Sequence, residues 1–294
     1  MRITSRIVLM PESLSQRIRQ QRLIVAPGVY DLISVKVADD VGFEALYMTG
    51  YGTVGAAYGL PDAGLATYTE MLDRVRTMTL SSSTPLIADA DTGYGGLLNV
   101  QRTVQGYEAA GAAAIQLEDQ EFPKKCGHTA GRRVIATKDM VRKIRVAVES
   151  RSSVDFLVIA RTDARTQLGL DEALRRAERY AEAGADVLFV ESPETEEELR
   201  RIGQAFDLPL LVNAVHGGRT PILAPADYEA LGFRIAIYPS AGFLSTARAL
   251  QDAYSRLRDG APLSDAALCP FTDFHRLMGF ERVWEFERTH SETE

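Results

Sequence analysis

The chain has 294 residues, of which 46% are hydrophobic and 25% charged, with a net charge of −7 and an isoelectric point near 5.3. This length suits one barrel-sized domain with an ample core, and an acidic balance without a basic stripe argues against a nucleic-acid partner. No run approaches the roughly 18 apolar residues of a membrane span, the first residues lack the h-region and cleavage site of a signal peptide, and two distant cysteines, Cys126 and Cys269, fit a reducing cytoplasm better than a disulfide framework.

In chain order, eight short apolar runs stand out: Leu23–Ala26, Ala45–Met48, Leu86–Ala90, Ala113–Leu117, Leu157–Ala160, Val187–Val190, Leu210–Val212 and Ile235–Tyr238. Each has the length and β-branched content of a strand buried on both faces. The stretches between them read as helices. Thr67-x-x-Glu70 and Thr195-x-x-Glu198 predict capping boxes. Asp171–Gly184 places Leu174, Ala177, Tyr180 and Ala181 on one face, and Gly111, Gly184 and Gly232 stand where a left-handed residue can close a helix. Strands alternating with helices imply a parallel sheet. At this length, closure into a (β/α)8 barrel is expected in preference to a doubly wound open sheet. The expected organisation is one domain over 1–294, with 241–294 as a C-terminal helical extension. Within it Phe271–Glu287 reads as a terminal helix pair, packed on its own barrel or on another subunit.

Active sites of such barrels lie at the C-terminal ends of the strands. The polar residues that end the apolar runs are Tyr47, Thr49 and Gly50; Asp89 and Asp91; Glu118 and Asp119; Arg161 and Asp163; Glu191; Asn213; and Ser240. Asp89-Ala90-Asp91-Thr92-Gly93 could be turn chemistry, but two Asp residues two apart in extended chain share one face. Several like charges gathered near one arginine call for a hard divalent cation, and oxygen ligands favour magnesium or manganese. Arg161 is costly to bury alone and is suited to a substrate carboxylate.

Lys124-Lys125-Cys126-Gly127-His128 is a polar, glycine-containing loop, not the usual setting of a buried cysteine. Cationic neighbours lower a thiol pKa and make proton transfer feasible near neutrality. Zinc would need more Cys and His ligands than a chain with four histidines offers.

Pro27-Gly28-Val29-Tyr30-Asp31, Tyr47-Met48-Thr49-Gly50, Asp89-Ala90-Asp91-Thr92-Gly93-Tyr94-Gly95, Glu118-Asp119-Gln120, Lys124-Lys125-Cys126-Gly127-His128 and Ala160-Arg161-Thr162-Asp163 occur in this order. Together they resemble the isocitrate lyase/phosphoenolpyruvate mutase superfamily, and within it the 2-methylisocitrate lyase, 2,3-dimethylmalate lyase and petal death protein branches. The resemblance runs from about Leu23 to Tyr238. It implies a magnesium-dependent carbon–carbon lyase that cleaves a 2-hydroxydicarboxylate, a substituted malate or 2-methylisocitrate, to a 2-oxo acid and a carboxylic acid. Asp62, Asp89, Asp91 and Glu118 would surround the metal, partly through waters. Thr49, Gly50 and Tyr51 would bind the oxo-acid end, Arg161 would pair with a carboxylate, and Tyr47, Glu191 and Asn213 would line the pocket. Lys124, Cys126 and His128 would lie on a loop that closes over the site, with Cys126 protonating the carbanion and Tyr47 a candidate base. The resemblance also implies a homotetramer with C-terminal helices exchanged, which apolar Phe274, Leu277, Phe280 and Trp284 suit. The rival readings are oxaloacetate hydrolysis or decarboxylation, carboxyphosphonoenolpyruvate mutase chemistry, and a barrel that binds dicarboxylates without catalysis.

The loop Asn213-Ala214-Val215-His216-Gly217-Gly218-Arg219-Thr220-Pro221 has the paired glycines of dimethylmalate-lyase-like members but carries His216 where they have an acidic residue. It lacks the hydroxyl and aromatic of the tricarboxylate type. A substituted malate is therefore expected over 2-methylisocitrate, although Arg219 could supply a further carboxylate contact.

Overall fold

The computed structural model describes residues 12–127 and 131–291. Among these, β1 (Ile24–Val29), β2 (Leu46–Met48), β3 (Leu86–Asp89), β4 (Ala114–Glu118), β5 (Leu157–Thr162), β6 (Val187–Val190), β7 (Leu210–Asn213) and β8 (Phe233–Tyr238) form a closed parallel barrel in sequential order. β8 returns to β1 with Ile24 opposite Ile235. The fold is the expected (β/α)8 barrel. The strands match the apolar runs but overrun several of them, because β4, β5 and β7 extend into the polar residues Glu118, Arg161 and Asn213.

Side chains alternate across a strand, and that alternation sorts the core into two. Ile87, Ile159, Phe189, Leu211 and Ile237 point inward and fill the barrel, joined by Leu14 and Ile18 of the helix Leu14–Arg19. Met48, Ala88, Leu117, Val158, Leu188 and Val212 point outward beneath the helices. Each fully buried large aliphatic side chain contributes roughly 1.5–3 kcal/mol. Continuing the inward set by two residues along β3, β5, β6 and β7 reaches Asp89, Arg161, Glu191 and Asn213. The same alternation that builds the core therefore aims these polar side chains into the mouth of the barrel.

Helix boundaries follow the local chemistry. The Thr67–Glu70 capping box is complete. At Thr195 only half of the expected box forms: Thr195 Oγ1 accepts from Glu198 N, while the Glu198 carboxylate is drawn to Arg165 instead, at 3.0 and 2.7 Å. Gly111, Gly184 and Gly232 follow helix ends with φ of 92°, 101° and 102°.

Helix Ala241–Arg258 packs by the end of β1, where Tyr30, the residue after the strand, donates its hydroxyl to Thr246 Oγ1 in the second turn at 2.6 Å. The chain then forms the helix pair Phe271–Met278 and Phe280–His290 around Gly279 (φ 82°). Neither helix buries a residue, and Phe271, Phe280, Trp284 and Phe286 are exposed, so the pair does not bury its apolar side chains on its own barrel. Among the described residues no helix is long and apolar enough to cross a membrane.

Candidate active site

A cavity of about 220 Å³ opens at the C-terminal mouth of the barrel. Tyr47, Thr49, Tyr51, Asp62, Asp89 and Glu118 form one part of its wall; Lys124, Cys126, Arg161 and Asn213 form another. Ten residues separated by up to 166 positions in the chain thus line one cavity. Gly50, Asp91 and Glu191 stand immediately behind this wall, each joined to it by the contacts described below. His128 lies outside the described residues.

The acidic side of the cavity is bound together by one ammonium group. Lys124 Nζ bridges Asp62 Oδ1 and Asp91 Oδ1, the latter at 2.7 Å, with Lys124 only 4% exposed. Burial alone would depress the lysine, but Asp91, Asp62 and Glu118 outweigh it and hold its pKa well above the ordinary value. Asp91 shows the converse. Burial pushes its carboxyl up to about 6 in spite of Lys124, with Asp89 and Asp62 adding repulsion. Asp89 accepts from the backbone N–H of Asp91 at 3.1 Å, from Gly50 N–H at 3.3 Å and from Gln116 Nε2 at 3.4 Å. Asp91 itself has a left-handed backbone (φ 49°), uncommon for a residue with a side chain and a mark of local constraint.

On the opposite side, Arg161 is buried and gripped by Asp163 through two 2.9 Å hydrogen bonds. Glu118 Oε2 lies 3.4 Å from its Nε and Glu191 Oε2 3.6 Å from its Nη2, and the guanidinium stands 5.1 Å over the Phe189 ring. Glu191 accepts from Ser192 Oγ at 2.9 Å and from Asn213 Nδ2 at 3.0 Å. Burial drives Glu118 well above the usual carboxylate range, Arg161 opposing and Asp163 reinforcing the shift. Glu118 Oε1, Asn213 Oδ1 and Ser240 Oγ are buried with no hydrogen-bond partner among the described residues.

Tyr47 donates its hydroxyl to Gln116 Oε1 at 2.9 Å, and burial together with the Asp89 charge pushes the phenol well above its ordinary pKa. The group is thereby held protonated. The loop bearing Cys126 folds down over the cavity: Cys126 N–H donates to Asp62 O at 3.2 Å, and Gln120 Nε2 donates to Lys125 O at 2.9 Å. Gly127 passes so close to Arg161 that a β-carbon would stand 2.6 Å from Nη2.

Asp119, adjacent to Glu118, points the other way. It is fully buried in the helix layer and accepts from Tyr180 Oη and Thr162 Oγ1 at 2.8 Å each, from Asp163 N–H at 2.9 Å and from Arg176 at 3.2 Å. Arg219 is likewise drawn away, onto Glu194 at 3.1 Å, and is no part of the cavity wall, whereas His216 and the paired glycines are. Three contributors were not singled out in the sequence. Gln116 shares the inward face of Glu118, two residues apart, and that parity could have found it. Phe243, in the first turn after β8, and Arg132, beyond the cysteine loop, carry no local signal.

Among the described residues no group of three His, Cys, Asp or Glu side chains is arranged to hold a metal ion directly. The donor chemistry nevertheless suits a hard cation. The potential ligands beside the Lys124 ammonium are all carboxylate oxygens, Asp91 and Glu118 are pushed toward their neutral forms by burial, and Glu118 Oε1 is unsatisfied.

The family model described as phosphoenolpyruvate phosphomutase matches residues 14–258. The chain is 46% identical over 273 residues to 2,3-dimethylmalate lyase of Eubacterium barkeri, covering 92% of this chain and 94% of that protein. It is 38% identical to a 2-methylisocitrate lyase of Aeropyrum pernix, covering 95% and 89%. Among solved structures, oxaloacetate acetylhydrolase in complex with 3,3-difluorooxalacetate superposes with a TM-score of 0.89 at 36% identity, covering 94% of this chain and 95% of that one.

Proposed function

Because the chain belongs to the isocitrate lyase/phosphoenolpyruvate mutase superfamily, we propose that it is a magnesium-dependent lyase that cleaves the C2–C3 bond of an alkyl-substituted malate, giving a 2-oxo acid and a carboxylic acid. The observation that carries this reading is the division of the cavity. An oxygen-rich wall of Asp62, Asp89 and Glu118 meets Arg161, the Cys126 loop lies overhead, and Tyr51, Phe243 and Leu244 supply apolar surface for an alkyl group.

Asp89 and Glu118 would hold the ion, with Asp62 and Asp91 reached largely through water, since Lys124 already lies between those two. Magnesium commonly keeps several waters and one or two carboxylates. When bound, it would polarise the substrate oxygens and stabilise the negative charge that develops on the 2-oxo acid. Thr49, Gly50 and Tyr51 open the helix Gly50–Tyr58 toward the oxo-acid end; Thr49 N–H is held by Val29 O at 3.1 Å and Gly50 N–H by Asp89 at 3.3 Å, so the Thr49 hydroxyl and the Tyr51 N–H are the groups that donate to substrate. Arg161 receives a carboxylate, its fork fixed in advance by Asp163. Tyr47, the candidate base, is held protonated and donates to Gln116, so it serves instead as a neutral group of the wall, and the C2 hydroxyl proton passes to a carboxylate of the oxygen-rich wall as the bond breaks. Cys126 delivers the proton to the carbon released by cleavage, with Lys124 and His128 assisting on the same loop, which keeps water away. Glu191 and Asn213 brace each other at the floor.

A second reading, hydrolysis of oxaloacetate, is favoured by the likeness to oxaloacetate acetylhydrolase and by the buried Ser240 hydroxyl, which could receive a substrate oxygen. One panel separates the two. The purified protein is assayed with and without magnesium for release of pyruvate or glyoxylate from 2,3-dimethylmalate, other alkylmalates and 2-methylisocitrate, and for oxalate from oxaloacetate. Magnesium-dependent 2-oxo acid from an alkylmalate supports the lyase; oxalate release alone replaces it with the hydrolase.

For the whole molecule we infer a homotetramer in the cytoplasm, the exposed aromatic residues of the C-terminal helix pair being covered by a neighbouring subunit. Support comes from Phe271, Phe280, Trp284 and Phe286, which lie 41–81% exposed in the isolated chain.

A further inference from the structure

Arg161 is surrounded by more negative charge than a carboxylate-binding arginine can usefully carry. Asp163, Glu118 and Glu191 approach its guanidinium at 2.9, 3.4 and 3.6 Å. Asp163 and Glu191 alone already outnumber the one cation, so little positive potential is left for a substrate carboxylate.

A second arginine changes that balance. Arg132 is 2% exposed and stands outside the cavity wall. Its Nη1 donates to Asp163 Oδ1, the same oxygen that receives Arg161 Nη2 at 2.9 Å. Its Nη2 donates to Thr166 Oγ1 at 2.6 Å and to Ser192 Oγ at 3.3 Å, both neutral. Asp163 is thus the one carboxylate paired with Arg132 among the described residues. Asp163 cannot turn away from either arginine, because its own N–H is held by Asp119 at 2.9 Å and its side chain is fully buried.

We propose that Arg132 is a positioning residue that shares Asp163 with Arg161, so that Asp163 fixes the Arg161 fork without cancelling its charge and Arg161 remains able to hold a substrate carboxylate. Arg132 touches no substrate. It acts through Asp163, and its removal would leave that carboxylate facing Arg161 alone, a stronger electrostatic sink in a buried setting. The inference rests on the lyase reading only in requiring an anionic substrate.

The test uses the full-length enzyme with magnesium and 2,3-dimethylmalate. For Arg132→Met, KM is expected to rise about tenfold or more while kcat changes by less than about threefold, the pattern of lost uniform binding. Arg132→Lys, which keeps the charge, should return KM to within about threefold of wild type. Added guanidinium chloride at low millimolar concentration should lower KM for Arg132→Gly and leave wild type unchanged. A merely structural role predicts none of this selectivity. Should Arg132→Met lose its cooperative melt, Arg132→Gln, which can keep the contacts to Thr166 and Ser192 without the charge, carries the same reading. An unchanged KM in a folded, uncharged variant overturns the proposal, as does a fall in kcat alone. If wild type turns over no alkylmalate, the lyase reading fails separately. The proposal is then decided by calorimetric binding of malate, which it requires to weaken about tenfold in the uncharged variant and which equal affinity would refute.

Discussion

A β-carbon on Gly50 would stand 2.7 Å from Asp89 Oδ2, so the residue that opens the helix after β2 and the carboxylate that ends β3 occupy neighbouring space with no room between them. Gly50→Ala must push Asp89 aside. Because displacement of a reacting group by about 1 Å can cost about 10²-fold in rate, turnover should fall by about that factor while the circular-dichroism spectrum and melting temperature stay near wild type. Steady-state kinetics beside a thermal melt check this, and activity within a few-fold of wild type would show that Asp89 can move freely.

Cys126→Ser should abolish turnover without disturbing the fold. The hydroxyl is close in size to the thiol but a much weaker acid, and loss of a positioned acid typically costs about 10²–10⁴-fold. Backbone anchorage through Cys126 N–H and Asp62 O is untouched by the change. Magnesium binding measured by calorimetry should be retained. Near-normal turnover would remove Cys126 from the chemistry.

Substrate size follows from where the charges are spent. A third carboxylate would need another cation aimed into the cavity; Arg219 is engaged by Glu194, and Lys125, although on the wall, turns its ammonium to Gly131 O at 3.3 Å. The enzyme should therefore prefer 2,3-dimethylmalate or a related alkylmalate to 2-methylisocitrate in kcat/KM. A preference above about tenfold for 2-methylisocitrate, about 1.4 kcal/mol of transition-state binding, would mean that the loop after β7 rearranges to provide one.

Stability should depend on pH through Asp39. Its carboxylate joins the helix Leu32–Val41 to the segment before β3, accepting from Ser82 Oγ at 2.7 Å and from Thr84 Oγ1 at 2.6 Å. Burial opposes its ionisation, but the hydrogen bonds from Thr84 and Ser82 win and lower its pKa. A depressed folded-state pKa gives stability that is present above the unfolded value of about 3.9 and is lost as pH falls through the folded value. Asp39→Ala should cost about 1 kcal/mol at pH 7, allowing for partial solvent screening, and the deficit should shrink below about pH 3.9. Urea melts at pH 7 and pH 3 measure it; an equal deficit at both would assign the loss to packing.

Light scattering at micromolar concentration should return the mass of a tetramer. Truncation before Phe271 removes the exposed aromatic helices and should lower the assembly state. A monomeric full-length chain would leave Phe280 and Trp284 exposed for some other reason.

The barrel was legible because each strand is a compact apolar run, and so were the residues that end the strands, because alternation extends past the last apolar position. Asp119 was ambiguous for the same reason that Glu118 was clear: adjacent residues face opposite sides, and only a known register says which is which. Arg219 looked like a candidate substrate contact because a charge in a mouth loop has no partner in one dimension; Glu194, 25 residues earlier, supplies it. Arg132 and Phe243 escaped notice because their importance lies in contacts across the fold, Asp163 for one and the cavity wall for the other. The Thr195 capping box was only half right because local capping lost a competition with the Arg165 guanidinium.

The back-to-back placement of Glu118 and Asp119 restricts how this gene can change. A deletion or insertion of one residue inside β4 would turn the scaffold carboxylate into the cavity and the cavity carboxylate into the helix layer, destroying both jobs in one event while both carboxylates remain in the chain. Length variation should therefore be tolerated ahead of the strand, near Gly111, and excluded from Ala114 to Asp119. A deletion scan through that stretch, scored for soluble expression and activity together, would show a sharp edge at the first residue of the strand.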